Sequence, residues 1–154
     1  SSDLLMERFS QGLVDGRGAT TATVVEAAWG YLPLGSGIGS FVPVYASVEP
    51  IETMGSAFWN HAHNDYVELW LEAGVAAAIA VVAFIAWWAR AAFVAWTSVW
   101  RERSGSTLAP ASAAVIALIL VHSSVDYPLR TLAMSGVFAF ACGVLAGFRP
   151  SPTD

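Results

Sequence analysis

From Ala73 to Phe148 the chain is dominated by three uncharged, apolar runs, Ala73 to Ala89, Ser104 to Val125 and Thr131 to Phe148. Only the short charged pieces Arg90 to Arg103 and Asp126 to Arg130 interrupt them. Runs of this length and polarity read as helices able to cross a bilayer. The first has seventeen residues, about 26 Å at the helical rise. Leu69 and Trp70 extend its apolar character beyond Glu72. Arg90 can snorkel to an interface, with Ala91 to Trp100 as an aromatic-rich extension. The expected architecture is an all-α polytopic membrane protein with spans at about 66–100, 105–126 and 130–148 and a cytoplasmic tail at 149–154.

Composition agrees with that reading. The chain is 56% hydrophobic and 12% charged, about half the charged fraction usual in a soluble domain. A net charge of −5 without a Lys/Arg cluster offers no basic face to a phosphate backbone, so nucleic acid is not an expected partner. The single cysteine, Cys142, lies in an apolar run and provides neither a disulfide framework nor a cysteine metal site. Ser1 is not an initiator methionine and no charged-then-apolar leader follows it, so the chain reads as a fragment.

Residues 1–64 carry scattered charges, several Gly and Pro, and no uncharged stretch expected to cross a bilayer, which marks an extramembrane region. Within it, Val24, Ala27, Ala28 and Tyr31 recur at helical spacing and predict a short helix over about 20–32, stopped by Pro33. Residues 33–60 read mostly as loop. Arg90, Arg101, Arg103 and Arg149 put one set of helix ends in the cytoplasm by the positive-inside rule. His61 to Glu72 and Asp126 to Arg130 then share the outer face with the loop region.

The polar constellations concentrate on that face. Asp65, Glu68 and Glu72 stand at i, i+3 and i+7 on one side of the first long helix. Asp65 as N-cap with Glu68 as its capping-box partner accounts for much of that pattern, because anionic groups complement a helix N-terminus. His61 and His63 ask for more, since two imidazoles at the mouth of a membrane helix are costly unless they face water or bind something. A His-x-His pair can ligate zinc, with Asp126 as a third donor, but the ligand count falls short and no metal is expected.

Gly35, Gly37 and Gly39 suggest a phosphate loop, yet no Lys follows and the dinucleotide spacing is broken by Ser40. Tight turns are their simpler role, while exposed amides there could touch an anion. His122, Ser123 and Asp126 supply triad residue types without a nucleophile elbow. Asp126 and Arg130, one turn apart across Pro128, suggest a local ion pair.

Three stretches in combination resemble the O-antigen ligase and polymerase family of membrane glycosyltransferases. They are Asp15-Gly16-Arg17, the run from Pro33 to Phe41, and His61-Ala62-His63-Asn64-Asp65-Tyr66 with Val67 to Leu69. The stretch Val121 to Arg130 is similar to the family's last outer junction. His63, Asn64 and Gly74 fall at matching places of the ligase motif, and Ala77 stands where the family carries Gly, Thr or Tyr.

The resemblance implies transfer of a glycan from an undecaprenyl-pyrophosphate-linked donor to an acceptor hydroxyl on the periplasmic side of the bacterial inner membrane, without a cofactor. The acceptor would be lipid A-core, another glycan, or a protein, so ligase, polymerase and protein O-oligosaccharyltransferase all remain open. In that scheme His63 assists deprotonation of the acceptor and Arg17 binds the pyrophosphate. Arg130 is a second candidate for the pyrophosphate, Asp126 would orient a histidine or a cation, and His61, Asn64 and Gly37 complete the expected substrate-binding set. A non-enzymatic transport or assembly module is the alternative of another class.

Overall fold

The computed structural model describes residues 18, 20–51, 59–102 and 107–149, without the side chains of 100–102. Among them every regular element is helical. The elements are α1 (residues 20–29), α2 (Phe41–Val48), α3 (Asp65–Glu102), α4 (Leu108–His122), a 3₁₀ turn (Pro128–Arg130) and α5 (Leu132–Gly147). Arg17 lies outside the described residues.

Helix α1 ends before the expected residue 32. Gly30 and Tyr31 donate their N–H groups to Ala27 and Ala28, three residues back, so the last turn tightens before Pro33 is reached. Helix α2 occupies part of the stretch read as loop. Its Phe41, Val44 and Tyr45 recur at i, i+3 and i+4 and are buried, while Pro43 falls in the first turn, where a missing N–H costs no intrahelical bond. Phe41 and Tyr45 stack at 5.6 Å, and Tyr45 shares a hydrogen bond with Thr20 on α1.

The first long helix is not one continuous rod. Gly74 sits at φ 54°, ψ −135° inside α3, and the Pro33-to-Gly39 segment docks onto that break. Ser36 and Gly37 donate to the carbonyls of Leu71 and Glu72, and Val75 donates to that of Pro33. Two glycines make this approach possible. A side chain at Gly74 would run into the Pro33 carbonyl, and one at Gly35 into the Glu72 carbonyl.

Two apolar cores flank the break. Val24, Ala28, Phe41, Tyr45 and Leu71 join α1, α2 and the start of α3. Beyond Gly74, Ala95, Ala109, Ala113, Ile116, Ala141 and Leu145 join α3, α4 and α5. Small side chains dominate this second core and let the helices approach closely, as in membrane bundles. Among the described residues one helix, Asp65–Val99, is long and apolar enough to cross a membrane; α4 and α5 are apolar but shorter, at 15 and 16 residues. Large apolar side chains point outward along all three helices, among them Ile79, Phe93, Leu118, Leu132 and Phe140.

Candidate active site

The site forms where the start of α3 meets the end of α4 and the 3₁₀ turn. Asn64, not Asp65, caps α3: its Oδ1 accepts the N–H groups of Tyr66 and Val67, and its Nδ2 donates to the Ser124 carbonyl. The carboxylates are released for other partners. Asp65 is tied twice to buried Ser123, donating its backbone N–H to the Ser123 carbonyl and accepting the Ser123 hydroxyl at 2.9 Å. Tyr66 adds a third link by donating its hydroxyl to Leu120. These bonds fix the two helix ends against each other.

Asp65, Glu68 and Glu72 are all buried and converge on Arg130. Arg130 Nη2 donates to Glu72 Oε2 at 2.8 Å, Nη1 lies 3.3 Å from Glu68 Oε1, and Nε lies 4.0 Å from Asp65 Oδ1. The expected Asp126–Arg130 pair does not form. The 3₁₀ turn at Pro128–Arg130 carries the guanidinium toward α3, where three buried carboxylates outcompete one exposed one.

Each carboxylate also holds backbone. Glu68 Oε2 accepts the Ala62 N–H and its Oε1 faces His61 Nδ1 at 2.9 Å, while Glu72 Oε1 accepts the Gly39 N–H. The stripe therefore braces both the histidine turn and the glycine loop. Asp65 Oδ1 is buried without a hydrogen-bond partner.

His63 has a left-handed backbone, φ 51°, uncommon for a non-glycine residue and a mark of a position held by its surroundings. Its Nδ1 lies 3.4 Å from Asp126 Oδ1. Trp59 and Tyr127 contact the ring edge-to-face at 5.6 and 5.0 Å. Asp126 also lies 3.8 Å from His122 Nε2. With a carboxylate on Nδ1, the His63 ring is oriented so that Nε2 can take a proton from a hydroxyl.

His61 belongs to a different circuit, paired with Glu68 and packed on Tyr127 at 4.6 Å. Among the described residues no group of three or more His, Cys, Asp or Glu side chains is disposed to hold a metal ion. The Gly37 N–H is committed to the Glu72 carbonyl, so an anion there would have to displace that bond. Ser123 is fully buried on Asp65 while His122 is exposed, which separates the residue types of a triad.

Trp59 and Tyr127 were not distinguished by the sequence as walls of the histidine, because nothing in local spacing links residue 59 to residue 127. Compared with protein-family models, curated proteins and solved structures, the chain gives no match.

Proposed function

We propose that the chain is the C-terminal part of a polytopic inner-membrane glycosyltransferase of the O-antigen ligase and polymerase type. It moves a glycan from an undecaprenyl-pyrophosphate carrier to an acceptor hydroxyl on the periplasmic face, with α3, α4 and α5 as its spans. The observation that carries the reading is the His63–Asp126 pair, an imidazole with a carboxylate at 3.4 Å, set at the polar end of three helices whose outer faces are apolar.

In this reading His63 takes the acceptor proton as the hydroxyl oxygen attacks the anomeric carbon, and the bond to the pyrophosphate oxygen breaks. Asp126 stabilises the imidazolium that forms. Arg130 is engaged by Glu68 and Glu72 and organises the wall of the site. Neutralising the leaving pyrophosphate then falls chiefly to Arg17, whose guanidinium fork suits two phosphate oxygens at once. Lipid A-core is the acceptor expected from the ligase-like segment His63, Asn64 and Gly74, and Ala77 keeps glycan and protein acceptors within the proposal.

The test is a transfer assay on the full-length protein with a defined lipid-linked donor and each acceptor class in turn. His63→Ala and Arg17→Ala are expected to abolish product while the protein still inserts in the membrane. Normal product from both variants would exclude the mechanism.

A further inference from the structure

Between Glu26 and Glu49 the sequence has no charged residue, yet only its helical ends, through Ala28, Phe41, Val44 and Tyr45, enter a core. At its centre the Pro33-to-Gly39 loop turns Leu34 and Ile38 outward, 84% and 76% exposed, with Trp29 at its flank 65% exposed. Such side chains on an irregular segment are costly in water. The loop is also held at a defined level. Its bonds to Leu71, Glu72 and Val75 set it beside Glu72, the last acidic residue of α3 before its apolar run begins.

Most of this loop's amides are bonded within the protein. Gly35 donates to Tyr31, Ser36 to Leu71, Gly37 to Glu72 and Gly39 to the Glu72 carboxylate. Irregular backbone at membrane depth needs its polar groups satisfied from within the protein; four of the loop's six amides are, and those of Leu34 and Ile38 keep it at the headgroup edge of the acyl chains. Trp29, edge-to-face with Trp70 at 6.2 Å, has the amphipathic ring favoured at a headgroup boundary.

We infer that the Pro33-to-Gly39 loop is a membrane-seated element, with Leu34 and Ile38 inserted among the acyl chains of the outer leaflet and Trp29 at the headgroup level. This rests on the proposed membrane reading of α3. The partner is the lipid surface itself. Because the stretch is uncharged, its insertion does not depend on anionic headgroups or on salt. The loop thereby fixes the depth of Glu72 and, through the carboxylate stripe, of the histidine turn.

The test uses full-length protein, free of native cysteines, in vesicles of zwitterionic lipid, with an environment-sensitive fluorophore on single cysteines at 34, 38, 26 and 79. Labels at Leu34→Cys and Ile38→Cys are expected to lose emission to lipids brominated near the top of the acyl chain and to resist aqueous iodide. The Glu26→Cys label is expected to show the reverse, and Ile79→Cys to respond to deeply brominated lipid. Loss at 79 without loss at 34 and 38 overturns the loop insertion and leaves the spanning helix intact. No lipid quenching at any site overturns both readings.

Protection of 34 and 38 from both quenchers means that protein covers them, and also overturns the proposal. Should a cysteine variant fail to insert, photoactivatable lipid applied to the unmodified protein answers the same question. Adducts within 34–38 support the insertion, and adducts at Ile79 alone reject it.

Discussion

Asp65 stands apart from the other carboxylates of its stripe, because one of its oxygens accepts two hydrogen bonds and the other accepts none. Asp65→Asn keeps the acceptor for Ser123 and Leu129 and is expected to melt close to the parent. Asp65→Ala instead leaves the Ser123 hydroxyl and Leu129 N–H unsatisfied, at a cost of about 1–3 kcal/mol. Arg130→Ala strands Glu68 and Glu72 as buried charges and is expected to destabilise by about 3–5 kcal/mol, read from the melting midpoint in detergent. Arg130→Lys supplies the charge without the fork and should fall between the two.

At the scale of elements, the contact of the glycine loop with the break in α3 decides where the site sits. A methyl group on Gly74 would meet the Pro33 carbonyl and would lie 2.7 Å from the Gly35 nitrogen, both backbone atoms that cannot swing aside. Gly74→Ala should therefore release the loop and destabilise the protein by more than the roughly 1 kcal/mol attached to a compatible glycine site. Gly143→Ala is the contrast. It lies within α5, where nothing beyond the helix's own backbone comes within 4 Å of the added carbon, and it should stabilise by about 0.5–1 kcal/mol. Equal melting temperatures for the two variants would show that the close approach does not matter. The carboxylate stripe explains how a change in the loop reaches the histidines: Glu72 touches both Gly39 and Arg130, and Arg130 touches Glu68, which holds the turn at Ala62.

For the whole molecule, the proposed three-span arrangement puts the ends of α3 and α4 that carry the site on one side and Arg149 on the other. Single cysteines at Val125 and Arg149 in the full-length protein distinguish the sides. A membrane-impermeant maleimide applied to spheroplasts is expected to modify position 125 directly and position 149 only after permeabilisation; the opposite pattern, or labelling of both without permeabilisation, rejects the topology.

The sequence by itself determined that the three long apolar segments are helical, and that three carboxylates share one side of α3, since both follow from local periodicity along the chain. It also singled out His63 and Asp126 as candidates, joining them only as zinc donors or through Asp126 orienting an unspecified histidine or cation. It misread residues 41–48 as loop, although Phe41, Val44 and Tyr45 already had helical spacing, because Pro43 and the neighbouring glycines resemble turn chemistry. Only the tertiary structure decided the partners. His63 meets Asp126 across 63 residues of chain, Arg130 meets Glu72 across 58, and Gly74 breaks its helix because a distant loop needs the room. Periodicity records the face a residue occupies, whereas pairing depends on which faces the packing of helices α3 to α5 brings together, and burial then selects the three-carboxylate partner for Arg130 over the nearer Asp126.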